Sequence, residues 1–305
     1  LPVVFRFFDR YIRTELGKAG TTVESVNFEQ VKDMLVPIPP FLEQQRILMK
    51  YSELEVLANE YGALEEARER LDAELPGRLR RSVLQMAVQG KLVPQDPNDE
   101  PASALLERIR AERVRLAAEK KAKPPKGGES VIYRGSDGGY YEKRGKGEAR
   151  PVEVPFEISE SWEWARVSSV FNLVRGSGIK RAEVAVSGEP CVRYGELYTV
   201  YQSEIFKTTS YTTRDVYDGA QKLLNGEVIA TLTGENDIDI GRAVVNMTGR
   251  TIAFGGDLLA FKGGYLDGEF VMLCINAPYM SLQRTAAASG NIIVHLSADK
   301  IGRFL

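Results

Sequence analysis

Pro37-Ile38-Pro39-Pro40-Phe41-Leu42-Glu43-Gln44-Gln45-Arg46-Ile47 opens the longest regular pattern in this chain. Two adjacent prolines cannot sit inside a helix, because each lacks an N–H and fixes φ. They suit an extended lead-in or a first helical turn. Glu43 then falls in that turn, where the helix dipole favours a negative charge. From Ile47 onward apolar residues recur at heptad spacing. Ile47, Leu54, Tyr61 and Leu75 take one seam position, and Leu57, Leu64 and Leu71 the other. Arg68 is the charged residue in that seam. The pattern predicts a long helix built to lie against another helix. Residues 41–75 would span about 50 Å at about 1.5 Å per residue. That is too long for one small core, so the segment reads as a strut between two bodies. Pro76-Gly77 predicts a break. A second helical run follows over 78–89, closed by Gly90 as a C′ residue.

The 305 residues suffice for two domains with real cores. A hydrophobic content of 43% and a charged content of 27% suit a soluble globular protein. The formal net charge of −2 announces no global attraction to nucleic acid, so such a partner would be held by local patches. Cys191 and Cys274 form neither a disulfide framework nor a zinc spacing, which fits a reducing cytoplasm. No apolar run reaches the roughly 18 residues of a membrane helix. The expectation is a cytoplasmic protein with no membrane partner.

Residues 1–36 read as the tail of a domain, with Phe5, Phe7, Phe8, Tyr11 and Ile12 as core candidates. One spacing relates Gly20 to Gly290, Val23 to Ile293, Val26 to Leu296, Val31 to Ile301 and Leu35 to Leu305. This weak repeat suggests that the chain closes the same kind of domain twice. Arg78, Arg80 and Arg81 can touch phosphate or protein, though a solvated face is the plainer reading. In the turn-rich stretch 91–101, Asp99 is a plausible N-cap with Pro101 just inside the next helix, over about 102–121. Linker composition follows. Tyr133, Tyr140 and Tyr141 then stand among glycines and basic residues, a mixture that can hold nucleic acid or simply form a hairpin. From Pro155 a globular domain begins. Trp162-Glu163-Trp164-Ala165-Arg166-Val167 alternates like a half-buried strand. Short β-rich runs follow at 192–197, 226–232, 242–246, 251–254 and 258–261. Residues 267–288 read as helical, with Phe270, Met272, Leu273 and Leu282 as core candidates. The fold class is therefore α+β: a mixed α/β domain joined to a long coiled-coil-type spacer helix.

These residues resemble the specificity subunit of type I restriction–modification systems. The resemblance is carried by Pro37–Ile47 as quoted, and by Ser82-Val83-Leu84-Gln85-Met86-Ala87-Val88-Gln89-Gly90-Lys91-Leu92-Val93-Pro94-Gln95-Asp96-Pro97-Asn98-Asp99-Glu100-Pro101-Ala102-Ser103. Val131-Ile132-Tyr133-Arg134, Tyr140-Tyr141-Glu142-Lys143-Arg144-Gly145, Pro155-Phe156-Glu157-Ile158 and Ser161-Trp162-Glu163-Trp164 extend it. It implies two target-recognition domains, each followed by a helix, with the helices paired antiparallel as a spacer. It further implies a non-catalytic subunit that reads a two-part site in double-stranded DNA. Its partners would be methyltransferase (modification) subunits and restriction/translocase subunits. S-adenosylmethionine, ATP and Mg²⁺ would belong to those partners, with no cofactor here. Set against that pattern, the expectation is a chain truncated at both ends. The expected organisation is a first-domain remnant at 1–36, a helical spacer region at 37–122, a basic Gly/Tyr-rich linker at 123–154 and a second target-recognition domain at 155–305. An uncovered spacer seam also implies self-association.

Base reading needs side chains at base edges, whereas phosphate contacts only position a protein. Gly176-Ser177-Gly178-Ile179-Lys180-Arg181 offers close backbone approach and two cations. Arg193-Tyr194-Gly195 puts an arginine, the usual guanine reader, beside an aromatic. Tyr201, Lys207, Thr233 and Arg242 complete the candidate DNA-facing rim with Gly178, Lys180, Arg181, Arg193 and Tyr194. Two other readings compete. Glu235, Asp237 and Asp239, with Lys262 at a distance, can hold Mg²⁺ for phosphodiester cleavage, though a polar loop explains them too. A coiled-coil scaffold with no DNA role explains residues 41–121 but not the β-rich domain. The lone His295 reads as a packed or edge histidine.

Overall fold

The computed structural model describes residues 9–10, 12, 17–18, 25–26, 29, 32–33, 35–119, 127–234, 240–290 and 294–305. Two compact units divide between Glu74 and Leu75. In the first, strands β1 (Gly17–Lys18) and β2 (Ser25–Val26) pair antiparallel, with Gly17 opposite Val26. Phe5, Phe7, Phe8, Tyr11 and the repeat positions Gly20, Val23, Val31 and Ile293 lie outside the described residues.

Helix α1 (Phe41–Val88) is continuous over 48 residues, and the unit boundary falls inside it. Its extended lead-in ends where the Gln44 N–H donates to the Pro40 carbonyl at 3.0 Å. The break expected at Pro76-Gly77 does not occur. Pro76 removes one hydrogen bond, the one its missing N–H would make to Asp72. Apart from Gly77, the residues on either side (Glu74, Leu75, Arg78, Leu79) are good helix formers, and starting a separate helix would carry a fresh nucleation cost. The seam residues Ile47, Leu54, Leu57, Tyr61, Leu64, Leu71 and Leu75 are all exposed, from 44% at Ile47 to 72% at Leu64. Arg68 is neutralised on its own helix by Glu65 and by Asp72 at 3.0 Å.

In the second unit, helix α2 (Ala102–Ala118) buries Ile109. Its N-cap position is held by Pro101, in extended backbone, rather than by Asp99. Asp99 is instead part of a preceding turn, its N–H on the Asp96 carbonyl at 3.1 Å. Strands β3 (Ser130–Arg134), β4 (Tyr140–Arg144) and β5 (Arg150–Pro151) form a three-stranded antiparallel sheet. Residues read from sequence as linker are thus folded onto the rest of the unit. Ile132 packs with Trp164 and Leu305, and Arg166 holds Glu142 at 2.8 Å. The strand expected over 162–167 is an extended segment outside any sheet. Its alternation arises because Trp164 turns inward against Phe156 and Tyr279. Val167 already starts helix α3 (Val167–Val170).

Two five-stranded sheets follow. In chain order their strands are β6 (Asn172–Arg175), β7 (Val184–Ala185), β8 (Glu189–Val192), β9 (Glu204–Ile205), β10 (Ser210–Thr212), β11 (Gln221–Leu223) and β12 (Val228–Thr231). A short pair, β13 (Thr233–Gly234) with the later β17 (Val294–His295), stands apart from both sheets. Then come β14 (Ala243–Asn246), β15 (Ile252–Phe254) and β16 (Leu258–Lys262). One sheet runs β11-β15-β8-β10-β7 and the other β6-β16-β12-β14-β9. The run expected at 192–197 ends its strand at Val192. Beyond Gly195 it becomes helix α4 (Glu196–Thr199).

The second sheet is buried on both faces, which explains its unbroken apolar strands. Ile229, Val244, Leu258 and Ala260 face the first sheet's Val192, Ile252 and Phe254. The alternate residues Val228, Ala230, Val245, Leu259 and Phe261 face the helices. This is the period of two expected of strands. Helix α5 (Arg214–Gly219) backs the first sheet through Val216 and Tyr217 beside Cys191 and Ala253. Helices α6 (Gly268–Asn276), α7 (Pro278–Ala287) and α8 (Ala298–Ile301) back the second. The single helix expected over 267–288 is divided at Ala277, because Pro278 starts a new helix. That division sets which side faces in. Val271, Met272, Ile275 and Met280 are core, whereas Phe270, Leu273 and Leu282 are exposed. The fold is α+β, with a long N-terminal helix.

Candidate nucleic-acid interface

Several chain segments converge at one end of the two sheets. The Gly176 N–H donates to the Leu258 carbonyl at 2.9 Å, the Gly255 N–H to Val192 at 3.0 Å, and the Leu232 N–H to Asp257 at 2.8 Å. The ends of β6, β8, β12 and β15 and the start of β16 therefore share a rim. Backbone contact requires small residues there. A Cβ on Gly176 would stand 1.9 Å from the Gly255 carbonyl oxygen, while one on Gly178 would meet open space. Of the 176–181 stretch, Gly176 is the residue packed against the protein's own backbone, and Gly178 is exposed. Gly256 lies next to Gly178, where its Cβ would be 3.5 Å from the Gly178 Cα. On the other side, a Gly255 Cβ would be 3.9 Å from the Arg193 Cα. Gly178 and Arg193, distant in sequence, flank the same glycine pair.

Loop 193–195 is fixed from below. Glu196 Oε2 accepts the Arg193 N–H at 2.7 Å, and its Oε1 accepts the Thr209 hydroxyl at 2.9 Å. Tyr194 beside it is exposed. Tyr198 on α4 donates its hydroxyl to the Thr233 carbonyl at 3.0 Å and meets the Thr231 hydroxyl at 2.7 Å. Thr233 is thereby tied to the same loop. Its own hydroxyl meets His295 Nδ1 at 3.3 Å, which places His295 on an exposed strand edge. Lys180 and Arg181 are exposed beside a short 3-10 turn, Arg181–Glu183. The Lys180 N–H is accepted by Glu183 at 2.7 Å. No ion pair among the described residues engages Lys180, Arg181 or Arg193.

Other rim candidates sit elsewhere. Tyr201 is a core residue, 6% exposed, because its ring fills the space between the sheets and its hydroxyl accepts the Thr209 N–H at 3.1 Å. Burial pushes its phenol above the usual value. Beside it, burial pushes the Cys191 thiol up to about 11, which leaves it a packed, unreactive group. Lys207 is exposed in the connection between β9 and β10. Arg242 is half-buried, with its guanidinium on the Gln202 carbonyl at 3.0 Å.

Sequence reasoning missed Arg175, Gly255, Gly256 and Asp257. Arg175 reaches the Gly256 carbonyl at 2.8 Å and Asp257 at 3.3 Å. Gly255-Gly256 was a visible signal of close approach, but only sheet order reveals which strands it joins.

Of the nuclease candidates, Glu235, Asp237 and Asp239 lie outside the described residues. Lys262 is held by Glu227 and the Lys222 carbonyl. It lies at the end of β16 opposite Leu258 and so away from the rim. Among the described residues no group of three or more His, Cys, Asp or Glu is placed to hold a metal ion. Nor, among them, is any helix long and apolar enough to cross a membrane.

No family model matches the chain. It is 32% identical over 183 residues to the specificity subunit of the EcoAI type I restriction enzyme of Escherichia coli, covering 48% of this chain and 28% of that one. It is 43% identical over 93 residues to the EcoEI specificity subunit of Escherichia coli, covering 30% and 13%. Among solved structures, the HsdS subunit from Thermoanaerobacter tengcongensis aligns at a TM-score of 0.39 and 14% identity, covering 98% of this chain and 57% of that chain. The type I S subunit from M. genitalium aligns at 0.31 and 14%, covering 46% and 32%. The matched regions thus span 28% and 13% of the two curated relatives. Within them, this chain is a sequence relative of the specificity subunits of type I restriction enzymes.

Proposed function

We propose that this chain is a DNA-recognition module of a type I restriction–modification complex. It reads one half of a bipartite site through the domain at 155–305. It docks methyltransferase and restriction subunits through the helical region at 37–122. The observation that carries the reading is the 32% identity over 183 residues with a named specificity subunit. The rim supports it: cations with no ion pair among the described residues and an exposed tyrosine border the glycine pair. Gly178, Lys180, Arg181, Arg193 and Tyr194 are the residues we place against DNA. Thr233 supports the rim, Arg242 and Lys207 act as phosphate contacts at most, and Tyr201 acts only through packing. The chain itself is non-catalytic and carries no cofactor.

The exposed seam of α1 supports a second part of the reading, pairing of two copies through that helix. An apolar stripe of this length is unfavourable in water and is expected to be covered. Two paired copies would bring two readers to one duplex. At more than one 34–36 Å helical repeat of B-DNA, the helix can hold two half-sites apart.

The test is co-purification of the full chain with modification subunits, followed by selection from randomised duplexes. Enrichment of a defined sequence is expected. A complex that forms but enriches nothing refutes DNA reading, and Mg²⁺-dependent cleavage by the chain alone would favour the nuclease alternative.

A further inference from the structure

Tyr133, Tyr140 and Tyr141, singled out in the sequence with the basic residues around them, take no part in the proposed duplex contacts. The hairpin sheet sorts them. Burial alternates along β3, with Ser130 and Ile132 buried and Tyr133 exposed. Directly opposed residues of an antiparallel pair point to the same side. Ile132 opposes Glu142, and Tyr133 opposes Tyr141. One side of the sheet therefore faces inward. There Ile132 and Tyr140 pack with Trp164, and Glu142 is held by Ser130 at 2.6 Å and Arg166 at 2.8 Å. The other side carries Val131, Tyr133, Tyr141, Lys143 and Pro151. On it the Tyr133 and Tyr141 rings lie within 27° of parallel, with centroids 6.1 Å apart. Asp137 Oδ2 accepts the Tyr141 hydroxyl at 2.6 Å and fixes that ring. Lys143, on the same strand as Tyr141, and Lys146 in the following turn are exposed. No ion pair among the described residues engages either lysine. The exposed acids of the two turns are Asp137 and Glu148.

We propose that this outward face is a platform for single-stranded nucleic acid, with unpaired bases on Tyr133 and Tyr141 and the phosphate backbone on Lys143 and Lys146. Aromatic rings on adjacent strands of an open sheet face give unpaired bases a surface to stack on. The Tyr133 ring is 40% exposed and available for this. A base inside a duplex already has both faces covered by its neighbours, so stacking on the platform selects an unpaired strand. Charge complements the rings. Tyr141 and Lys143 are separated by about 7 Å of β-strand, within the reach of a single nucleotide. An acidic peptide would meet the lysines but make no use of the ring pair, which is why the face fits nucleic acid. Every base has a π-face, so the platform tolerates any sequence. The site goes beyond the duplex reading proposed for the rim and shares no residue with it.

The test uses the full chain and a fluorescein-labelled oligothymidylate of about 16 nucleotides, followed by anisotropy at several salt concentrations. Tyr133→Ala should weaken binding of the oligonucleotide at least about fivefold, and Tyr133→Phe, which keeps the ring, less than about twofold. Neither should change binding of a random-sequence duplex. Lys143→Ala should reduce the slope of log K against log salt by about 0.7. Asp137→Asn keeps an acceptor for Tyr141 and removes an anion, so it should tighten binding. An oligonucleotide carrying iododeoxyuridine should photocrosslink to Tyr133 or Tyr141, which locates the contact without any variant. A wild-type chain that leaves the oligonucleotide unbound, or crosslinks confined to other residues, would overturn the platform. So would oligonucleotide binding untouched by Tyr133→Ala, or an equal loss of duplex binding in that variant. If oligoglutamate displaces the oligonucleotide as well as a second oligonucleotide does, the partner is an acidic peptide and the proposal fails. None of these readouts needs the assembled complex. A complex that selects no duplex sequence would therefore refute the rim reading and leave the platform standing.

Discussion

Gly176 lies so close to Gly255 that a Cβ on the first would stand 1.9 Å from the carbonyl oxygen of the second. Both are backbone at the rim, and neither can retreat without breaking the bonds to Leu258 and Val192. Gly176→Ala should therefore cost about 3 kcal/mol, at the upper end of overpacking effects. Gly178→Ala, two residues away in open space, should change stability by less than about 0.5 kcal/mol. Urea denaturation of the two variants checks the contrast, and equal costs would show that the ledge is not packed as described.

Acid should loosen the hairpin sheet first. Burial alone would raise the Glu142 carboxyl. Hydrogen bonds from Arg166 at 2.8 Å, Ser130 at 2.6 Å and Arg144 at 2.7 Å outweigh that and bring it down to about 2, from an ordinary 4.5. A depressed folded-state value stabilises the fold fully above the unfolded value. That contribution is lost as pH falls from about 4.5 through about 2. Glu142→Gln should flatten the pH dependence of stability across that window and leave the higher range parallel to wild type. Denaturation midpoints at a series of pH values provide the measurement.

The contrast between α1 and the rim shows what the sequence could reveal. Heptad spacing and the Pro39-Pro40 lead-in are local signals, so the existence and start of α1 were legible. Its length was not. Pro76 is a strong local breaker, yet its cost, one lost bond and a ring clash, is local and leaves a 48-residue helix continuous. At the rim, Arg193 and Gly178 were legible as loop residues. Their adjacency depends on β8 pairing in parallel with β15, a long-range fact without local pattern. Tyr201 misled for a related reason. A tyrosine near a glycine turn looks the same whether its ring faces water or fills the space between two sheets.

Because α1 runs through Pro76 unbroken, replacing that proline should help rather than harm. Pro76→Ala restores the N–H that Asp72 lacks and removes a ring clash. The gain should approach the roughly 3 kcal/mol by which proline trails alanine in a helix interior. Circular dichroism should show helicity retained and the unfolding midpoint raised. A helix truly divided at that position would gain nothing, because its residue there would have no intrahelical bond to recover.

Lys180 and Arg193 are expected to contribute differently to DNA binding. Lys180 is an exposed cation with no ion pair among the described residues, suited to phosphate. Arg193 is held by Glu196 beside Tyr194, suited to a base edge. Lys180→Ala should weaken all duplexes alike and reduce the slope of log K against log salt by about 1. Arg193→Ala should cost about 1–3 kcal/mol on the selected sequence and less on others. The double substitution should flatten salt dependence and weaken binding together. Titrations of the assembled complex at several salt concentrations test this, and unchanged affinity and slope would remove both residues from the interface.

The seam of α1 makes the remaining prediction. Leu57 and Leu64 lie on one helical face and are 55% and 72% exposed. If the face is covered by a second copy, placing charges there should separate the copies, because a carboxylate cannot be buried against leucine without a partner. Leu57→Glu with Leu64→Glu should shift the sedimentation mass from dimer to monomer at micromolar concentration. Circular dichroism should lose helix at the same time, since a long helix without a packed face depends on propensity alone. The control is Arg68→Ala, which removes the charge that Glu65 and Asp72 already neutralise. It should leave the dimer intact or tighten it, since the seam would then run apolar from Ile47 to Leu75. A wild-type chain that sediments as a monomer, with α1 still fully helical, would mean that this face needs no cover from its own kind.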